Sequence, residues 1–167
     1  MGNRGRGFTL LELLITLALA GILLGLAVPA TQVLTANNRT VAVTNSVLGV
    51  LHNARAESIR YNRAVWISPA ATGEAGIYRW QSGIAMSVED DSDTEDDILR
   101  RIESIDERLV VSVSGVAEEN RAFGFNPGGF LLNKDDRPVF TFCNSVWPGN
   151  SREIRINAGG QITMTSP

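Results

Sequence analysis

The sequence predicts an α+β protein: one long N-terminal helix, apolar in its first half and amphipathic in its second, packed on a C-terminal β-rich domain. Three observations predict it. Residues 8–30 form an apolar run that only Thr9, Glu12 and Thr16 interrupt. Val41, Thr44, Val47, Leu48, Leu51, Ala54 and Ile59 then follow at three- and four-residue spacings, the signature of an amphipathic helix. After Asn62 this spacing gives way to short β-like runs separated by Gly, Pro, Asn and acidic segments. A chain of 167 residues, 44% apolar and 20% charged, has room for one modest globular domain beside such an element. The expected divisions are residues 1–7, a basic leader; 8–30 and 31–62, the two halves of one helix; and 63–167, the β-rich domain.

The first half of the helix carries the strongest signal. Its 23 residues would make a helix about 34 Å long, enough to cross a bilayer core of roughly 30 Å. A single transmembrane pass is therefore expected over 8–30. Arg4 and Arg6 precede the run and the first seven residues hold no acid. Retained positive charge places the N-terminus in the cytoplasm and sends the C-terminal body across the membrane. Without Arg4, Arg6 and Glu12, that body carries 13 basic against 17 acidic residues, a balance ill-suited to phosphate backbones. Cys143 is the only cysteine, so no internal disulfide can form.

Three kinds of N-terminus fit an apolar run behind two arginines. A cleaved secretory signal could use Ala18-Leu19-Ala20 or Gly25-Leu26-Ala27, but its apolar region would normally lack a charge such as Glu12. A plain signal anchor explains the length and leaves Glu12 in the membrane at a cost of a few kcal/mol. The third reading accounts for each odd residue. Arg4-Gly5-Arg6-Gly7-Phe8-Thr9-Leu10-Leu11-Glu12 resembles the class III signal of type IV pilins and type II secretion pseudopilins. The resemblance implies that prepilin peptidase cuts after Gly7 and that the new amine on Phe8 is N-methylated. It also gives Glu12 a role: its carboxylate can pair with the Phe8 amine of a neighbouring subunit, so that a charge costly alone becomes a device for register. Gly21, Gly25 and Pro29 fall at four-residue steps on one helix face. Small residues there permit close helix packing, and Pro29 removes one backbone hydrogen bond and kinks the helix. Pilins resemble this chain in having a proline at that place.

Asn37, Arg39, Asn45, Asn53, Arg60 and Asn62 mark the wet side of the second helix half. His52, the only histidine, lies beside the apolar stripe and reads as structural, since no second ligand or nucleophile accompanies it. In the body, strands are expected over 64–68, 77–80, 84–88, 109–114, 122–125, 130–132, 139–143, 153–157 and 161–164. Residues 98–105 suit a helix by the spacing of Ile98, Ile102 and Ile105, and a strand by family resemblance. Asn126-Pro127-Gly128-Gly129 and Ala158-Gly159-Gly160 read as turns.

Several body segments resemble the GspH/FimT/FimU group of minor pilins. They are Asn53-Ala54-Arg55-Ala56-Glu57-Ser58-Ile59, Ala64-Val65-Trp66-Ile67, Trp80 with Gly83-Ile84, Phe125-Asn126-Pro127-Gly128-Gly129, and Arg152-Glu153-Ile154-Arg155-Ile156-Asn157 with Gly159-Gly160. Where members often carry a second cysteine this chain has Ser68. One DNA-receptor branch has an arginine-rich end where this chain reads Gly160-Gln161-Ile162-Thr163, which argues against nucleic acid as a ligand although Arg152 and Arg155 stand nearby. Residues 89–97 hold seven acids among nine, but without the fixed glycine and terminal glutamate of an EF-hand loop they read as a solvated loop rather than a calcium site.

No Ser-His-Asp set, phosphate-binding glycine loop or Cys/His cluster is present, so no catalytic residue, metal or cofactor is expected. The resemblance implies a structural subunit of the tip or initiation complex of a type II secretion pseudopilus or a type IV pilus. Its expected partners are prepilin peptidase, other minor and major pilins or pseudopilins, and the inner-membrane assembly platform. Its expected location is the bacterial inner membrane, with the body in the periplasm and then in a filament. The alternatives are a DNA-binding minor pilin of natural transformation and a membrane-anchored or secreted binding domain.

Overall fold

The computed structural model describes residues 8–70, 80–88, 97–102, 105–106, 108–116, 122–145 and 151–166, with only the backbone at 26–30 and 97–98. The chain divides into two compact units, Met1–Thr35 and Ala36–Pro167.

A single helix, α1, runs Leu10–Tyr61. Its start is written locally: the Thr9 carbonyl accepts the first helical bond from the Leu13 amide at 3.2 Å, and Thr9 Oγ1 accepts from the Glu12 amide at 3.2 Å. Thr9 is thus the N-cap of a Thr-x-x-Glu sequence, which satisfies one of the donors a helix start leaves open. The other end is also local. Asn62 takes the left-handed conformation at φ 53° and the Arg63 amide bonds back to the Ser58 carbonyl at 3.3 Å, a Schellman closure.

Within the second unit, Thr40, Thr44, Val47, Val50, Leu51, Ala54 and Ser58 form the buried face of α1. The hydroxyls on this face are satisfied by the helix itself: Thr44 Oγ1 donates to the Thr40 carbonyl at 2.7 Å and Ser58 Oγ to the Arg55 carbonyl at 2.8 Å. Ile59, expected on this stripe, is 53% exposed, and Ser58 takes its place. Ile59 follows Ala54 by five residues, about 140° round the helix, whereas Ser58 follows it by four and stays on the face.

Among the described residues, eight strands build two antiparallel sheets. In chain order they are β1 (Val65–Pro69), β2 (Ile84–Val88), β3 (Asp97–Ile102), β4 (Leu109–Ser114), β5 (Phe123–Phe125), β6 (Val139–Asn144), β7 (Arg152–Ile156) and β8 (Ile162–Thr165). The first sheet has the order β3-β2-β1-β5 and the second β4-β6-β7-β8. Residues 97–102 are therefore strand, which resolves the ambiguity at 98–105; Ile105 lies past its end and is buried. Trp80 opens a 3-10 turn, Trp80–Ser82, rather than ending a strand, and 77–79 lie outside the described residues. The strand expected at 130–132 is likewise absent. Phe125 and Leu131 form an isolated bridge there, because the turn at 126–129 is followed at once by backbone bonds from Leu131 to Ala158 and from Leu132 to Gly124.

An aromatic chain joins the sheets. Phe123 on β5 meets Phe140 on β6 at 5.9 Å, and Trp80 meets Phe140 edge-on at 5.3 Å. Edge-to-face geometry of this kind adds about 0.5–1.5 kcal/mol to simple burial.

Gln81 performs a second joining task. Its Nε2 donates to the Leu109 carbonyl at 2.6 Å and, through a hydrogen shared between them, to the carbonyls of Ile105 and Asp106, both at 3.2 Å, while its Oε1 accepts from the Val111 amide at 3.1 Å. One side chain thus bonds Leu109 and Val111 on the outer edge of β4, where a neighbouring strand would otherwise pair. Gln81→Leu should cost roughly 1–3 kcal/mol by leaving these half-buried groups unpaired. Thermal unfolding of the purified variant checks it, and an unchanged midpoint would contradict the role.

Candidate functional site

The described surface of α1 from Leu10 to Gly25 is exposed at every position. Leu10 is 77% exposed, Leu11 67%, Ile22 62% and Leu24 64%, and Leu and Ile project in all directions. A helix apolar all round is stable only when something outside it removes that surface from water. Its small polar groups are satisfied internally: Thr9 caps the helix start, and Thr16 Oγ1 donates to the Leu13 carbonyl at 2.8 Å. Glu12 is different. It is the one charged residue between Phe8 and Gly25 and has no ion-pair partner among the described residues. It sits in the first turn, where the helix dipole favours a carboxylate. Phe8, four residues before it, is non-helical and 78% exposed.

The other expected positions are distributed as follows. A Cβ at Gly21 or Gly25 would meet nothing within 4 Å, so both stand on open helix surface. Pro29 lies on helical backbone, with its side chain outside the described residues, as is all of Gly7. Among the described residues no helix is long and apolar enough to cross a membrane. The expected span over 8–30 is only partly covered by them, since side chains are described to Gly25 and again from Thr31. His52 is exposed, and Cys143 is a half-buried free thiol. Residues 89–96 lie outside the described residues; among those described, no group of His, Cys, Asp or Glu could hold a metal. Arg155 is engaged by Glu153 at 2.6 Å.

A second site was hidden from sequence reasoning because its parts lie far apart. Arg55 Nε donates to the Gly129 carbonyl at 2.9 Å, and its Nη2 to the Gly159 carbonyl at 3.4 Å. The turn at 126–129 is held by Asn126 Oδ1, which accepts from the amides of Gly128 at 2.9 Å and Phe130 at 3.2 Å. The β7–β8 turn is held in the same way by Asn157 Oδ1 and the Gln161 amide at 2.9 Å. Gly129 and Gly160 both have positive φ, 75° and 70°, and their backbones touch. Three motifs scattered along the chain thus meet in one clasp between α1 and two turns. The only sequence signal was that each looked like part of one family pattern. The capping role of Thr9, which the sequence reading also missed, has a local signal, Thr-x-x-Glu.

The family model of the type II transport protein GspH matches residues 43–160. A prokaryotic N-terminal methylation motif matches residues 2–28. Among solved structures, the type IV minor pilin FimU of Pseudomonas aeruginosa is 19% identical, with a TM-score of 0.61 over 78% of this chain and 93% of FimU. The minor pseudopilin EpsH from the type 2 secretion system of Vibrio cholerae is 10% identical, with a TM-score of 0.58 over 77% of this chain and 98% of EpsH. At such identities the likeness is one of fold. No curated protein matches.

Proposed function

The chain belongs to the GspH family, whose model covers more than half of it, and from that premise we propose that it is a minor pilin or pseudopilin, a structural subunit of the tip or initiation complex of a type II secretion pseudopilus or a type IV pilus. The observation that carries this reading is the N-terminal helix: a surface apolar in every direction with one unpartnered carboxylate, Glu12, in its first turn. Lipid can cover the apolar surface but leaves the carboxylate unsatisfied; sister helices can do both. Residues 8–30 are the membrane anchor before assembly, and the body at 63–167 stands in the periplasm. Prepilin peptidase removes residues 1–7 and the amine of Phe8 is methylated. Gly21, Gly25 and Pro29 form a face on which neighbouring helices approach closely, Pro29 loosening the backbone where they meet. The assembly platform of the inner membrane then draws the helix into the filament. No step in this sequence asks the chain for catalysis.

Terminal sequencing of the protein from membranes tests the reading, because an N-methylated Phe8 is its specific product. Gly7→Val should leave an uncut precursor in the membrane fraction of cells that contain prepilin peptidase. Normal maturation of that variant would defeat the processing step and with it the filament role.

A further inference from the structure

The body holds a groove that filament assembly through the N-terminal helix does not use. A cavity of 290 Å³ lies between α1 and the first sheet, lined by Asn53, Glu57, Tyr61, Met86, Leu99 and Arg100. The helix residues stand at four-residue steps and so share one face. The sheet wall is unusual. Leu99 and Arg100 are consecutive in β3, and in a regular strand they would project to opposite faces. Ser87 pairs with Ile98 and Met86 with Arg100, which leaves Leu99 as the extra residue of a β-bulge. A bulge re-aims side chains, and this one brings two neighbours to the same cavity.

Charge and size restrict what the groove takes. Glu57 is already engaged by Arg60 Nη1 at 3.3 Å. Arg100 is exposed and has no ion-pair partner among the described residues, so among them it is the free charge at the rim. Met86, 3% exposed, and Leu99, 37% exposed, supply an apolar floor. The volume stands at the lower end of the roughly 300–1,000 Å³ usual for ligand sites and has room for an apolar side chain. Among the described residues β3 is also the outermost strand of its sheet, and a strand edge without a neighbour is a template for another extended chain.

We propose that this groove docks an extended peptide segment of another protein, which pairs along the outer edge of β3, places an apolar side chain in the cavity and sets a carboxylate two residues away on Arg100. In a strand, positions two apart share a face, so the recognised pattern is apolar-x-acidic. Backbone pairing supplies affinity and the cavity with Arg100 supplies the choice of sequence. The proposal does not depend on N-terminal processing, so either reading can fail alone.

The test uses the full-length chain in detergent micelles and three short, labelled, blocked peptides of alternating Thr and Val. They differ only in a central Leu-Thr-Asp, Leu-Thr-Asn or Leu-Thr-Lys, and binding is read by fluorescence anisotropy. The Asp peptide should bind about tenfold more tightly than the Lys peptide, with Asn between. Arg100→Glu should invert that order. A gain in binding of the Lys peptide cannot come from loss of folding, which keeps the variant informative. Equal binding of the three peptides, binding of none, or an unchanged order with Arg100→Glu would each overturn the proposal.

Discussion

Gly160→Ala should destabilise the body by about 3 kcal/mol or more, while Gly159→Ala, one residue earlier, should stay within about 1 kcal/mol of the wild type. A Cβ on Gly160 would collide with the Gly129 carbonyl oxygen, a backbone atom that no rotamer change can move. The residue also has a φ of 70°, where an L side chain is strained. On Gly159 the nearest atom to a new Cβ would be the Asn157 Oδ1 at 3.3 Å, the end of a side chain. The two substitutions change composition identically and share one turn, so their difference isolates the close approach. The damage should spread, because separating the turns also removes the Arg55 bonds to Gly129 and Gly159. Thermal and urea unfolding of the two variants beside the wild type measures it. Similar midpoints for both would show that the turns can separate at little cost, contrary to the clasp.

The second large effect is expected at Glu12. Breaking a buried ion pair by removing one partner typically costs about 3–5 kcal/mol, because the other charge is left alone in a low-dielectric setting. Glu12→Ala should therefore leave processing and insertion normal and lower incorporation into filaments at least tenfold. Glu12→Asp should fall between, keeping the charge on a shorter arm, and Glu12→Gln should resemble alanine if charge rather than hydrogen bonding dominates. If the carboxylate merely reaches toward the membrane surface, alanine makes the helix greasier and costs nothing. The measurement is the subunit recovered in sheared filaments or crosslinked to sister pilins, normalised to the membrane pool. Equal recovery of wild type and the three variants would refute pairing with the Phe8 amine. The cap does not confound the series, since Thr9 Oγ1 bonds the backbone amide at Glu12, which every variant retains.

Each helix end and both tight turns were legible because their causes are local. Thr-x-x-Glu starts α1 and Asn62 ends it; Asn126 and Asn157 each fold a side-chain oxygen onto amides a few residues away. Such signals need only the 3.6- and 2.0-residue periods and the φ preferences of Gly and Asn, all contained in a short window. Glu12 was legible for the same reason, as a charge inside an apolar run.

By itself, then, the sequence determined one long helix of two characters, its boundaries within a residue or two, the β-rich body and most of its strands. Tertiary structure alone decided how the strands share two sheets, with β1 bonded to β5 across the chain. It also decided that residues 130–132 turn instead of forming a strand, and that Arg55 reaches carbonyls 74 and 104 positions away. The physical reason is that these outcomes depend on which distant segments bury one another, and burial of shared surface is a property of pairs of segments that no single window of residues contains.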